Sequence, residues 1–205
     1  MKIQLILLTL FAAGNLLAQG LNVAVVDMEK VFSEYHKTIR SEISLQRQNK
    51  VYKEYAMGLE RELEGLQNRA AQISRQAQDV TATDGIREQA KAEMQRIKLQ
   101  FDSKREELRD YQNEKKQKVR DDFDSSRKTL IDEIIVIVQE EAKRRGLDMV
   151  LDSSGKTLNG IPAFVHFRIS MDVTEAILAR LNQGKEAEIA ALLKEREALQ
   201  KADER

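Results

Sequence analysis

The sequence of 205 residues has no cysteine, no tryptophan and a single proline, and only 5% of it is aromatic. Without cysteine there are no disulfides, thiolate metal sites or cysteine nucleophiles. A shortage of proline and aromatics beside 33% charged residues marks long helices or a coiled coil and argues against a compact globule of this length. A surplus of one charge is also missing, since 34 Lys+Arg meet 34 Asp+Glu. That balance argues against nucleic acid as a partner, because phosphate binding draws on excess cations. No segment beyond the N-terminus is apolar enough to span a membrane.

The first twenty residues, MKIQLILLTLFAAGNLLAQG, have the layout of a secretory signal. Lys2 is followed by a largely apolar stretch from Ile3 to Ala13, about the length of a signal core. Ala18 is a candidate last residue before cleavage. An uncleaved anchor is the alternative, and the absence of a following cysteine excludes a lipoprotein. Residues 1–19 are therefore expected to direct export and the mature chain to be soluble in the periplasm.

Leu21 to Val26 is a β-branched run expected to form a strand buried on both faces. Asp27 then caps a helical pattern. From Met28 to Val80 apolar residues recur at helical spacing: Val31, Tyr35 and Ile39, then Tyr52, Tyr55, Leu59, Leu63, Leu66, Ala70, Ile73, Ala77 and Val80. The last nine step by threes and fours, a heptad seam with one four-residue excess that locally unwinds a supercoil. Gly58 and Gly65 weaken the helix by about 1 kcal/mol each if exposed. Residues 81–85 (TATDG) carry turn chemistry. A second helix from Ile86 to Arg145 has neither glycine nor proline and is stopped by Gly146 after Lys143, Arg144 and Arg145. Its stripe runs through Ala90, Met94, Ile97, Phe101, Leu108, Tyr111, Val119, Phe123, Leu130, Ile134 and Ile137, and weakens at Lys115.

Each helix would span roughly 80–90 Å. Matched lengths and a short turn predict an antiparallel hairpin that brings the chain back to the first strand. Leu147–Asp152 and Ala163–Ile169 are then expected as second and third strands, with an Asn159-Gly160 turn in the loop between them. Asp172-Val173-Thr174-Glu175 is an acidic capping box opening a short helix through Val173, Ile177, Leu178 and Leu181. Gly184 separates it from a charged, helical tail. The fold class is thus mainly α with a small β body and a long helical hairpin. The divisions are 20–27 with 146–183 (body), 28–145 (hairpin arm) and 184–205 (tail). Three strands and one short helix leave apolar faces open, so the body is expected to oligomerise.

Three strings in order support a family resemblance. Val25-Val26-Asp27-Met28-Glu29-Lys30-Val31-Phe32, Gly146-Leu147-Asp148-Met149-Val150-Leu151-Asp152 and Met171-Asp172-Val173-Thr174-Glu175-Ala176-Ile177-Leu178 resemble the opening, the return strand and the closing helix of the Skp/OmpH periplasmic chaperones. The resemblance covers about Leu21 to Asn182. It implies a homotrimer with a central β body and three hairpins around a cavity that holds unfolded outer-membrane proteins without ATP. The chain departs from the family in two respects. It is neutral where members are often strongly basic, so contact with anionic membrane surfaces should be weak. Its tail also runs past the usual end.

No enzymatic constellation emerges. Gly155-Lys156-Thr157 lacks the earlier glycine and the following helix of a phosphate-binding loop. His36 and His166 lie on different elements and read as a helix-surface and a strand histidine. Asp121, Asp122 and Asp124 read as a solvated face. No catalytic residue, metal or cofactor is expected. The candidate client contacts are the large aromatics Tyr52, Tyr55, Phe101, Tyr111 and Phe123, which a two-helix hairpin can only partly cover. Near the turn, Arg69, Arg75, Arg87, Lys91, Arg96 and Lys98 outnumber the nearby acids by two. They could steer clients or a membrane surface, or simply be solvated flanks. The rival to the chaperone reading is a coiled-coil spacer of the cell envelope bridging two folded partners.

Overall fold

A computed structural model describes residues 20–203, so the expected export signal lies outside them. The elements are β1 (Val23–Val26), α1 (Met28–Glu34), α2 (His36–Gln78), α3 (Asp84–Arg145), β2 (Met149–Asp152), a 3-10 turn (Ile169–Met171), α4 (Thr174–Leu181) and α5 (Glu186–Asp203). The protein is mainly α, with long helices and a small parallel sheet. It divides into two compact units: the described residues up to Ile39 with Thr129–Ala190, and Arg40–Lys128 with the described residues from Ala191 on.

In the first unit, β1 and β2 pair in parallel with Val23 opposite Met149 and Val26 opposite Asp152. The other edge of β1 is also engaged: Val25 bridges Asp172, and Val173 N–H donates to the Val25 carbonyl at 2.9 Å. Ala24, Val25 and Val26 are at most 3% exposed, so both faces of the strand are covered and the run is apolar without alternation. Ala24 and Val26 pack with Val31, Tyr35, Leu130, Ile134, Val173, Ile177, Leu178 and Leu181 in one core. Ile134 and Ile177 are wholly buried, so truncating either to Ala would cost about 2–5 kcal/mol.

Polar groups close the ends of this core. The Asp27 carboxylate accepts from Lys30 N–H at 2.8 Å, as expected of a cap, while its own N–H donates to Thr174 Oγ1 at 2.9 Å. Gly146 takes φ of +62°, and Leu147 N–H returns to the Ala142 carbonyl at 2.9 Å. The helix thereby ends where a left-handed residue lets it end. The acidic box does not begin α4 at Asp172. Asp172 Oδ1 accepts from Thr174 N–H at 2.8 Å, and helical geometry starts one residue later than a cap at Asp172 would set it.

Three expectations are corrected here. The helix from Met28 is not continuous, because Tyr35 is extended (φ −68°, ψ 126°) and separates α1 from α2. The polar groups exposed at that break are met by Asn182. Its Oδ1 accepts from His36 N–H at 2.9 Å and from His36 Nδ1 at 3.2 Å, and its Nδ2 donates to the Glu34 carbonyl at 2.9 Å. His36 is consequently buried, with its ring edge-on to Tyr35 at 4.9 Å, and does not sit on the helix surface. Thirdly, Ala163–Ile169 forms no strand, and His166 is exposed irregular backbone. Both edges of β1 are already taken, so a third strand could only extend β2. The expected turn does form, with Gly160 at φ +76° and an antiparallel bridge from Lys156 to Pro162.

In the second unit α2 and α3 run antiparallel: Gln48 meets Asp122, Tyr52 and Tyr55 meet Tyr111, Glu62 meets Lys104, and Arg69 meets Glu93. The turn between them occupies residues 79–83, not 81–85. Asp79 Oδ1 accepts from Thr81 N–H at 2.8 Å and from its hydroxyl at 2.6 Å. Arg87 N–H already bonds the Thr83 carbonyl at 3.1 Å, so Asp84 and Gly85 belong to α3. The tail is helical, as expected, and lies along α2 through the ion pairs Arg47–Glu195 and Glu42–Arg196.

The strongest electrostatic feature of the first unit is a buried carboxylate near the end of α3. Glu141 has a side chain 1% exposed. It accepts from Arg144 Nε at 2.9 Å, Arg145 Nε at 2.5 Å and, across from α4, Arg180 Nη1 at 3.2 Å. The Arg144 hydrogen bond, aided by Arg145, outweighs burial and holds its pKa down at about 2, against 4.5 ordinarily. A lowered carboxylate pKa stabilises the fold above the unfolded value, and that contribution is lost as pH falls through the folded value. Glu141→Gln should therefore cost about 1–3 kcal/mol at neutral pH. Urea unfolding followed from about pH 5 down to about pH 2 should show a steeper loss of stability in the parent chain than in this variant.

Candidate functional site

The helical hairpin buries little. Between Arg40 and Lys128 only Ile43, Leu59, Ala90 and Ile97 are core residues; most of the remaining stripe is half-covered, and Tyr55, Val80, Ile86 and Phe123 are exposed. Two helices share one narrow seam, so large side chains along it keep a free side.

Three of the five candidate aromatics come together. Tyr111 of α3 lies 6.3 Å from Tyr52 and 4.5 Å from Tyr55, centroid to centroid. Lys115, the residue that interrupts the apolar stripe, sets its ammonium over both Tyr52 and Tyr111, at 5.5 and 5.3 Å. The lysine is thus part of the cluster, held by attraction to the ring faces. Gln48 donates to the Tyr52 hydroxyl at 2.8 Å, and the Tyr55 hydroxyl donates to Glu107 at 3.1 Å. That bond raises the Tyr55 pKa, while Lys104 beside Glu107 lowers the carboxylate's. The Tyr52 and Tyr111 rings border an open groove of about 270 Å³ shared with Asn49, Lys53, Ala56 and Val119. Its apolar floor and polar rim suit loose contact with apolar chain segments.

Phe101 and Phe123 stand apart. Phe101 is half-buried with the Arg105 guanidinium 6.0 Å from its centroid, and Phe123 is 42% exposed. The structure also exposes apolar residues that the stripe does not contain: Val51, Met57 and Leu99, the last 71% exposed. Leu99 borders a second groove with Leu66 and Gly65, where a Cβ on Gly65 would meet nothing within 4 Å. Their signal was present in the sequence, as apolar residues out of phase with the seam.

The charges near the turn are largely neutralised. Arg69 pairs with Glu93 at 2.5 Å, Arg96 approaches the same carboxylate at 3.8 Å, Lys91 pairs with Glu88 at 2.6 Å, and Arg87 pairs with Asp84. Arg75 and Lys98 are exposed and make no ion pair among the described residues. The local surplus is therefore carried by two side chains, too few for strong steering. Among the described residues no three His, Asp or Glu side chains are grouped to hold a metal ion. No described helix is long and apolar enough to cross a membrane.

A third set of apolar side chains is exposed in the first unit: Met149 on β2, Leu158, Ile161, Val165 and Ile169 after it, and Ile135 and Val136 on α3. Val165 and Ile169 are more than four-fifths exposed.

The aromatic cluster contributes to stability as well as surface. Tyr111→Ala removes two ring pairs, each worth about 0.5–1.5 kcal/mol, and should lower unfolding stability by about 1–3 kcal/mol. Phe123→Ala, at an exposed site, should change it by less than about 1 kcal/mol. Urea denaturation of the two variants checks the contrast.

None of the curated proteins compared with the chain matches it. A family model does: the one described as outer membrane protein (OmpH-like) matches residues 22–181. That span runs from the residue before β1 to the last residue of α4, and leaves α5 outside. The chain belongs to the OmpH-like family, whose function is of the periplasmic outer-membrane-protein chaperone kind.

Proposed function

We propose that the protein is an ATP-independent holdase that keeps unfolded outer-membrane proteins from aggregating in the periplasm. The observation that carries this reading is the family match across β1, the hairpin and α4. The physical support lies in the two kinds of exposed apolar surface. Half-covered aromatics along the hairpin offer many weak contacts to a chain without fixed structure, and confinement of such a chain prevents the intermolecular contacts that lead to aggregation. No step of this activity requires a reactive group, and none is assigned.

The second surface supports self-association. In this reading residues 20–27 and 146–183 form the body, 28–145 form the client-holding arm, and the body is completed as a homotrimer. β2 has a free outer edge, and the Ala163–Ile169 stretch pairs with no strand among the described residues. A sister copy supplies an edge for it, and main-chain pairing of that kind is how exposed sheet edges are satisfied. In this reading residues 1–19 direct export and the mature trimer works in the periplasm.

Native mass of the mature chain, with aggregation of a urea-denatured β-barrel protein in its presence and absence, tests the proposal. A trimer that suppresses aggregation without ATP is expected. A monomer without effect overturns the reading. Stoichiometric capture of a folded partner, with no affinity for unfolded chains, favours the envelope spacer. Val165→Asp combined with Ile169→Asp should convert the trimer to monomer and leave helix content by circular dichroism unchanged.

A further inference from the structure

Two grooves adjoin on α2. One is the aromatic groove of Tyr52, Tyr111 and Lys115. The other lies between α2 and the tail, where Gln46, Asn49, Lys50 and Lys53 face Leu199, Gln200 and Ala202 of α5. Asn49 and Lys53 line both. The last turns of the tail therefore sit at the border of the surface to which client contact is assigned.

The tail is held there lightly. Among its described residues none is fully buried, and Leu192, Leu193 and Leu199 are only half-covered. α4, by contrast, buries four of its eight residues. Two ion pairs fix the tail, Glu195 to Arg47 and Arg196 to Glu42, with side chains 33–61% exposed. Exposed pairs of this kind contribute little and are screened by salt. Gly184, at φ +69°, supplies the left-handed turn between α4 and α5. The tail also lies outside the residues matched by the family model, so the family's common part does not include it.

We propose that α5 is a releasable strap. Docked, its C-terminal end closes the α2 side of the aromatic groove. Released, it opens that side to an apolar segment of an unfolded client, so client and tail compete for one face of α2. This inference rests on the holdase reading and adds its regulation: apparent client affinity falls with the fraction of strapped arms. The ion pairs make the strap looser at high ionic strength.

Charge exchange in the full-length chain tests it. Glu42→Arg with Arg47→Glu on α2, or Glu195→Arg with Arg196→Glu on α5, replaces each attraction by repulsion. All four together restore both pairs with signs exchanged. Leu199→Asp removes an apolar contact instead. Hydrogen exchange of residues 191–203 reports docking, and titration with a urea-denatured β-barrel protein reports client binding. Each two-residue change and Leu199→Asp should speed exchange in the tail and tighten client binding about tenfold, since one exposed pair shifts an equilibrium by up to about fivefold. The four-residue exchange should return both readouts to the parent's. A released tail with unchanged or weaker client binding overturns the strap and leaves the holdase reading standing. Absence of client binding in the parent and in every released variant sinks the holdase reading and the strap with it.

Discussion

Val25 is hydrogen-bonded or bridged on both sides, to β2 and to the segment entering α4, and it is 1% exposed. Everything in the first unit is organised by that four-residue strand. It fixes where the chain must return: Asn22 and Asp148, 126 residues apart in sequence, exchange backbone and side-chain hydrogen bonds. Closing so long a loop from a random chain is costly and slow. Two helices that form locally and pair over their length replace the random loop with a short one at each end. Parallel pairing follows from the same geometry, since α3 delivers the chain beside Asn22, at the start of β1. Asp27 and Asp152 then stitch α1 to the strand ends, one as cap and the other by accepting Met28 N–H at 3.2 Å.

The two units stand at opposite ends of a scale of packing. The first concentrates its buried residues in one cluster, with the polar ends of its helices satisfied by Asn182, Thr174 and Asn22. The second spreads four core residues over nearly ninety positions and relies on ion pairs and aromatic contacts for the rest. Exposed ion pairs add little each, so the hairpin opens locally more readily than the body. For the proposed holdase surface, which would accommodate chains of no fixed shape, a soft seam with half-covered rings is a suitable compromise. A better-buried seam would leave nothing to bind with.

Much of this organisation was legible from residue order. Helix boundaries at Asp27, Gly146 and Gly184 follow from capping and φ requirements that operate over three or four residues. β1 was readable because a strand covered on both faces must be apolar throughout. What escaped depends on partners distant in sequence. Tyr35 continues the apolar stripe perfectly, and only Asn182, 146 positions from His36, makes the break there affordable. Glu141 sits in a run of charges that looks solvated until Arg180 of α4 closes over it. The aromatic cluster was half legible: the rings were named, but Lys115 was taken for a flaw in the seam when it caps the rings. The third strand shows the limit in the opposite direction. Ala163–Ile169 has strand composition, yet it pairs with no strand among the described residues, and composition alone does not say whether a strand finds an edge.

That missing edge also bears on the charge balance. Met149, Leu158, Ile161, Val165 and Ile169 are all exposed, exposed apolar surface favours association, and a strongly charged chain would resist bringing several copies together. Here the net charge is zero, and most of the cations near the turn are matched by acids on the same or the facing helix. Little long-range repulsion opposes assembly of like chains. Little long-range attraction draws in a client either. In the proposed holdase, capture would then depend on short-range apolar contact, and the amount of uncovered surface on α2 and α3, with the helix proposed to lie across it, would set how strongly an unfolded chain is held.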